Sequence, residues 1–327
     1  MSNVLALKYR PQSFDEVIGQ TQTIQLLKSA LDNGTLGHAL LFCGTRGTGK
    51  TTTARIVAKE LNRGFWSSED WEHRQHLVLT EIDAASNTGV DNVRDLIESI
   101  RYSTQGHRVV LLDEAHMLSK NACNALLKTL EEPPPGVTFI LLTTEPHKLI
   151  DTVRSRCQIY EFREVSTEEL CELYATIAQK EGLTLDVDQV QGIALRAGGS
   201  VRDGLSILQK SLSGEQEEDT SKRYFELVGA LYAQDVTTAL KLTSDLQKIE
   251  EARIIIQTLE KWFYWCSLEN FGMKTLIRPF FREVSELQFD LKHLQRLFDT
   301  CLDIERSFTA TPNSKIVLEM GILKLCL

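Results

Sequence analysis

Eight residues, Gly44-Thr45-Arg46-Gly47-Thr48-Gly49-Lys50-Thr51, have the types and spacing to grip a triphosphate. The glycines let the backbone curl until several N–H groups converge on phosphate oxygens, Lys50 supplies a point charge to the β and γ groups, and Thr51 offers a hydroxyl to Mg²⁺. A glycine-rich turn can carry this spacing by chance. Here, however, the apolar run Ala39–Cys43 precedes it and a helix-like run, Thr52–Leu61, follows it, which is the context the chemistry requires. A second constellation lies downstream, where Val109-Val110-Leu111-Leu112 ends in Asp113-Glu114 and so delivers two carboxylates to the C-terminal edge of a sheet. Asp113 is suited to hold the metal, directly or through water, and Glu114 to orient and deprotonate an attacking water. The plain alternative is an acidic pair that caps a helix. Thr143-Thr144, ending another apolar run, can set a hydroxyl beside the γ-phosphate, although β-propensity alone also favours threonine there. Arg154 and Arg156, either side of Ser155, read by themselves as solvated surface.

These residues need a scaffold, and the first half of the chain supplies one. Strand candidates are Ala39–Cys43, Leu77–Ile82, Val109–Leu112, Val137–Thr143 and Gln158–Phe162, separated by helical patterns, which predicts a parallel sheet covered by helices on both faces. After Phe162 the pattern turns helical. Ser166-Thr167-Glu168-Glu169 spells a capping box opening one helix, and Gly198-Gly199-Ser200 precedes another. Past an acidic linker at Gly214–Ser221 the rest is helical, with Leu287, Leu291, Leu294, Leu297, Phe298 and Leu302, then Ile316, Met320 and Leu323, at helix spacing. The predicted organisation is an α/β P-loop domain over 1–163, a small helical lid over 164–213 and an all-α domain over 222–327.

Composition narrows the class. The 327 residues, 42% hydrophobic and 25% charged, suit a soluble globular protein of two or three domains. No apolar run approaches membrane-spanning length and the N-terminal apolar stretch is too short for a signal core, so a cytoplasmic setting without membrane contact is the expectation. The seven cysteines never form a Cys-x-x-Cys pair, so they read as free thiols, and no zinc is expected. A net charge of −9 argues against a broad basic face, which makes any nucleic-acid contact local.

Taken together, Lys8-Tyr9-Arg10-Pro11, Val17-Ile18-Gly19-Gln20, the phosphate loop, Ile82 to Asn87, Leu112 to Leu118, Asn124 to Pro134 and Ser155-Arg156-Cys157 resemble the gamma/tau subunits of bacterial DNA polymerase III clamp loaders. The likeness runs on through Gly199-Ser200-Val201-Arg202-Asp203, whereas the C-terminal part is similar to that family's oligomerising collar only in length and helical character. The resemblance implies an AAA+ ATPase whose nucleotide lies between neighbouring subunits of a pentameric ring. Gly44 to Thr52 would then hold ATP, Val17 and Ile18 would surround the adenine, and Thr51 and Asp113 would hold Mg. Arg156 would be an arginine finger acting in trans, Arg202 the lid sensor and Thr144 the other sensor position. Partners implied are other clamp-loader subunits, a sliding clamp and primer-template DNA. The helix after Asn87 and Thr88 would run along the DNA, with Arg94 and Arg101 nearby.

This sequence also departs from the family pattern. Between the P-loop helix and Ile82 the family carries a four-cysteine zinc module, whereas Asn62–His76 here holds Trp66 and Trp71 and no cysteine. The tryptophans are expected to pack a small apolar patch, and Lys261-Trp262-Phe263-Tyr264-Trp265, inside a helical run, to form collar core or interface rather than a base-stacking platform. The family's long polymerase- and helicase-binding tail is not in this sequence, so a short form is expected. Two rivals belong to other classes: a nucleic-acid helicase, since Asp113-Glu114-Ala115-His116 also spells a DEAH motif, and a generic AAA+ switch. A non-catalytic subunit of the same complex is set aside because Lys50, Thr51, Asp113 and Glu114 are all present.

Overall fold

The third strand shows how the sheet is built. In β3 (Arg108–Asp113), four consecutive apolar residues are buried, because alternate side chains enter two different cores. Val109 and Leu111 join Leu27 of α2 (Thr21–Asp32) and Ala54 and Val57 of α3 (Lys50–Leu61) on one face. Val110 and Leu112 join Val93 and Leu96 of α4 (Val90–Ser99) and Leu126 and Leu130 of α5 (Lys120–Glu131) on the other. Together with β1 (Ala39–Gly44), β2 (Leu79–Asp83), β4 (Val137–Thr143) and β5 (Gln158–Phe162), this strand forms a five-stranded, wholly parallel sheet of order β2-β3-β4-β1-β5. The register pairs Cys43 with Thr143, Gly44 with Phe162 and Asp83 with Asp113, so the ends of the strands share one edge.

The computed structural model describes residues 4–67, 71, 73–86, 89–100, 106–212, 220–271, 290–310 and 313–327. These divide into two units, one of residues 1–185 and 193–209, the other of 186–192 and 210–327. The first holds the N-terminal turn α1 (Leu5–Lys8), the sheet with its helices, the short α6 (Asp151–Arg154), α7 (Thr167–Lys180) and most of α9 (Val201–Leu212). Helix α7 opens with the anticipated capping box: Ser166 accepts from the Glu169 N–H while the Glu169 carboxylate accepts from that of Ser166. Two boundaries differ from the pattern-based expectation. Helix α3 begins at Lys50 rather than Thr52, because Gly49 itself makes the N-cap. Strand β2 begins at Leu79, because Gln75–Leu77 winds into a single 3-10 turn first. Ahead of that turn, Trp71 is buried beside Trp66, with ring centroids 6.3 Å apart, at the edge of the α2–α3 core.

The second unit is helical: α10 (Thr220–Tyr232), α11 (Val236–Leu246), α12 (Ala252–Asn270), α13 (Leu291–Ala310) and α14 (Ser314–Leu325), with α8 (Val187–Ala197) shared between the units by sequence. Trp262 and Phe263 lie in its core and Trp265 packs against it, while Tyr264 is exposed, as one turn of helix dictates. Helix α14 does not gather its charged residues, Lys315, Glu319 and Lys324, on one face, so spacing alone does not choose its buried side. Its inner face is Val317, Leu318, Ile322 and Leu325, while Ile316 and Met320 are exposed, contrary to their expected place in a packed stripe. The acidic linker at 215–219 and Leu287 fall outside the described residues. Among the described residues no helix is long and apolar enough to cross a membrane.

Candidate functional site

The glycine loop leaves β1 and turns into α3 with φ positive at Gly47 (77°) and Gly49 (99°). A side chain at Gly47 would meet Ser200 Oγ at 1.9 Å, so the loop and the start of α9 approach to a distance only glycine permits. Gly49 gives α3 no side-chain cap, which leaves the first-turn N–H groups of the helix available to an anion. Thr48 Oγ1 donates to the Thr45 carbonyl at 2.9 Å and braces the curl. Lys50 is 8% exposed and its ammonium donates to the carbonyls of Gly44 (2.8 Å) and Thr45 (2.7 Å). Burial pulls its pKa down, opposed by the charges of Glu114 and Asp113. A buried cation beside the uncapped first turn of a helix suits a polyanion, and the cradle fits a triphosphate.

The acidic edge of the sheet faces this loop. Thr51 Oγ1 donates to Asp113 Oδ2 at 3.3 Å, so a hydroxyl and a carboxylate, both hard oxygen donors, stand side by side as Mg²⁺ prefers. Burial, with help from the Glu114 charge, raises the Asp113 pKa, and the Glu114 N–H opposes this by donating to Oδ1 at 2.9 Å. Glu114 adopts φ 48°, a left-handed backbone uncommon outside glycine. Its carboxylate accepts from Thr144 Oγ1 at 3.2 Å. His116, missed as a site residue by sequence reasoning, stands behind it. Nδ1 lies 3.4 Å from Glu114 Oε2 and 2.9 Å from Thr143 Oγ1, and Nε2 lies 3.1 Å from Glu145 Oε2. The available signal was two polar groups, His116 three residues beyond the end of one buried strand and Glu145 two residues beyond the end of another.

Loop and acidic edge line one cleft of about 570 Å³ within the first unit. Val17 and Ile18 form part of its apolar wall with Leu173 and Ile177 of α7 and Leu205 of α9. Arg46 to Thr52, Asp113, Glu114 and Thr144 line it, whereas Gly44 and Thr45 contribute through the carbonyls that hold Lys50. Arg202 enters from α9. The position of that helix is fixed by a backbone bond from Val201 N–H to the Gly47 carbonyl (3.1 Å) and by the buried Tyr174 hydroxyl donating to the Ser200 carbonyl (3.2 Å). Sequence reasoning gave no role to three further lining residues, Arg10, Arg55 and Glu81. Arg55 donates to Glu81 through Nε and Nη2, both at 2.6 Å, and burial lowers the Arg10 pKa, with the charges of Arg55 and Arg202 adding to it. The N-terminal turn is fastened to the end of α7, where Tyr9 and Lys8 both donate to Glu181.

Arg156 is not among the residues lining this cleft. It sits two residues past α6, 33% exposed, paired with Glu131 at the end of α5. Arg94 lies on α4, exposed and paired with Asp91 at 3.1 Å, while Asn87, Thr88 and Arg101 fall outside the described residues. All seven cysteines are free, and among the described residues no group of three or more His, Cys, Asp or Glu is placed to hold a metal.

Residues 19–166 match the family described as DNA polymerase III, delta subunit. Over 357 residues the chain is 36% identical to the DNA polymerase III subunit gamma of Buchnera aphidicola subsp. Baizongia pistaciae, covering 99% of this chain and 96% of that protein. The gamma subunit from the Acyrthosiphon pisum subspecies is 32% identical, covering 98% of each. Against the Bacillus subtilis tau subunit the identity is 33%, over 97% of this chain and 62% of that longer protein. Among solved structures, the Thermotoga maritima RuvB Holliday junction branch migration motor superposes with a TM-score of 0.50 at 23% identity, over 63% of this chain and 65% of its own, a likeness of fold.

Proposed function

The chain belongs to the gamma/tau family of DNA polymerase III subunits, and on that premise we propose that it is an ATP-hydrolysing subunit of a sliding-clamp loader. The observation that carries the proposal is the single cleft, to which the phosphate loop, two strand ends and a lid helix each bring a group suited to phosphoryl transfer. Lys50 and the N–H groups of Gly47 to Thr52 bind the phosphates, and Val17 and Ile18 receive the adenine. Thr51 and Asp113 hold Mg²⁺, which when bound neutralises charge growing on the β- and γ-phosphates. Glu114 orients the attacking water and takes its proton. Thr144, hydrogen-bonded to that carboxylate, senses the γ-phosphate from the same strand edge, and Arg202 reads the phosphates from the lid.

Arg156 acts on the ATP of the neighbouring subunit. A planar, permanently charged guanidinium brought from outside compensates γ-phosphate charge only when the interface closes, an effect on the order of 10³-fold or more in related chemistry. Hydrolysis thereby reports assembly. In this reading residues 1–163, 164–213 and 222–327 serve as ATPase domain, lid and collar of a pentameric ring working in the cytoplasm. Its partners are the other loader subunits, a sliding clamp and primer-template DNA. A few backbone contacts from the Asn87–Arg101 region, repeated around the ring, give a salt-sensitive grip despite the acidic chain.

The test is an ATPase assay of the protein mixed with its candidate clamp and partner subunits, with and without primed template. Stimulation by clamp and template is expected. A flat response would leave only a generic AAA+ switch, and strand separation without any clamp would favour the helicase instead.

A further inference from the structure

The guanidinium of Arg156 is held on three sides by its own subunit. Nε donates to Glu131 Oε1 at 2.6 Å, Nη2 meets the same carboxylate, and Nη1 donates to the Thr152 carbonyl at 2.7 Å. Three of its five N–H groups are therefore engaged, which leaves one on each terminal nitrogen for an outside acceptor. Beside it, Arg154 pairs with Asp151 in its own helical turn, an aspartate that is 86% exposed. Glu131 instead reaches Arg156 across 25 residues of sequence, from the last position of α5. Cys157, whose thiol burial pushes up to about 11, anchors the other side of the turn as a neutral group against the sheet core.

We propose that Glu131 is a positioning residue for Arg156: it pre-orders the guanidinium at the subunit surface so that its free N–H groups meet a neighbour's phosphates without a search through rotamers. The proposal rests on Arg156 acting in trans. A lock that withholds Arg156 from the neighbour is the competing use of the same pair, and magnitude decides between them. An exposed carboxylate–guanidinium pair shifts an equilibrium by about five-fold at most, whereas a finger contributes about 10³-fold on a developing polyanion. Glu131 is too weak to withhold the arginine, but a long side chain with several free torsions gains from being set in place beforehand.

The test compares Glu131→Gln, Arg156→Ala and the double variant, each assembled with its partner subunits, primed template and MgATP. Glu131 is 48% exposed, so the fold tolerates the change, and unchanged thermal unfolding checks this. The expected result is a fall of up to about five-fold in template-stimulated kcat, the most that such an exposed pair can hold, with KM for ATP unchanged, and a double variant no slower than Arg156→Ala alone. Additive losses in the double variant would show that Glu131 does not act through Arg156, and faster hydrolysis by Glu131→Gln would identify a lock; either overturns the proposal. If Arg156→Ala is impaired and Glu131→Gln is not, only the role of Glu131 falls. Should Arg156→Ala itself hydrolyse normally, the finger reading falls first.

Discussion

Lys50 and Arg156 are both cations on which the proposed reaction depends, and the fold treats them in opposite ways. Lys50 is buried, bonded to two loop carbonyls and faced by two carboxylates of its own sheet. Arg156 stands at the surface, outside the cleft, with one exposed glutamate as its charged partner. A cation that serves its own subunit can be desolvated and compensated within one core. A cation that serves another subunit has to stay within reach of it, so its surroundings are those of an ordinary surface arginine. Functional groups at a shared site therefore need not look alike in one protomer.

The sharpest break in this contrast comes from Arg156→Ala. Template-stimulated hydrolysis should fall about 10³-fold while ATP affinity, measured by nucleotide titration, stays within a factor of two or so. An equal loss of affinity would move Arg156 into the cis cradle. Glu114→Gln should lower turnover by about 10²-fold or more while ATP and clamp still bind. Normal turnover would take Glu114 out of its role. The packing behind the cradle is open to test at Gly204 of α9, where an added Cβ would lie 2.0 Å from the hydroxyl of the buried Tyr174. Gly204→Ala should cost roughly 1–3 kcal/mol in thermal or denaturant unfolding and weaken nucleotide binding by displacing Arg202. No such sensitivity is expected of Arg154→Ala, whose partner is local and exposed.

The smallest effect concerns the cradle's built-in strain. Burial raises the Asp113 pKa above its ordinary 3.8, so the folded state disfavours the ionised carboxylate. That penalty is absent below the unfolded pKa, grows as pH rises through the raised folded value and persists at neutral pH. Asp113→Asn should therefore raise the melting temperature of the nucleotide-free protein at pH 7 by a few degrees or so, with the gain vanishing near pH 3, while abolishing Mg²⁺-dependent hydrolysis. Unchanged melting at both pH values would contradict the assigned cost.

The same contrast explains what was legible in the sequence. Backbone geometry forces the cradle's spelling, and the buried strands β1, β3 and β4 force nearly uninterrupted apolar runs, so the loop, Asp113-Glu114 and these three strands could be read from residue types, whereas the half-exposed β2 and β5 were marked only by β-rich composition and by their place between helical patterns. Arg156 and Arg202 carried no such signature, because an arginine's role here depends on what lies opposite it in space; only the motif-level resemblance drew attention to them. His116, Arg55 and Glu81 were missed for the related reason that these partners are about 26 to 29 residues away in sequence and adjacent only in the folded domain. In the helical unit, α14 defeated periodicity because it has no polar face to mark the inside.

One mixing experiment addresses the central claim, that each hydrolytic site is completed by a neighbour. Lys50→Ala lacks a working cradle but keeps Arg156, and Arg156→Ala keeps the cradle but lacks the finger. Each alone, with partner subunits, clamp and primed template, should be nearly inactive. Combined in equal amounts they should recover a substantial part of the template-stimulated ATPase, because an Arg156→Ala cradle can then lie beside a Lys50→Ala finger. No recovery on mixing, or full activity of the unmodified chain as a dilute monomer, would contradict the account.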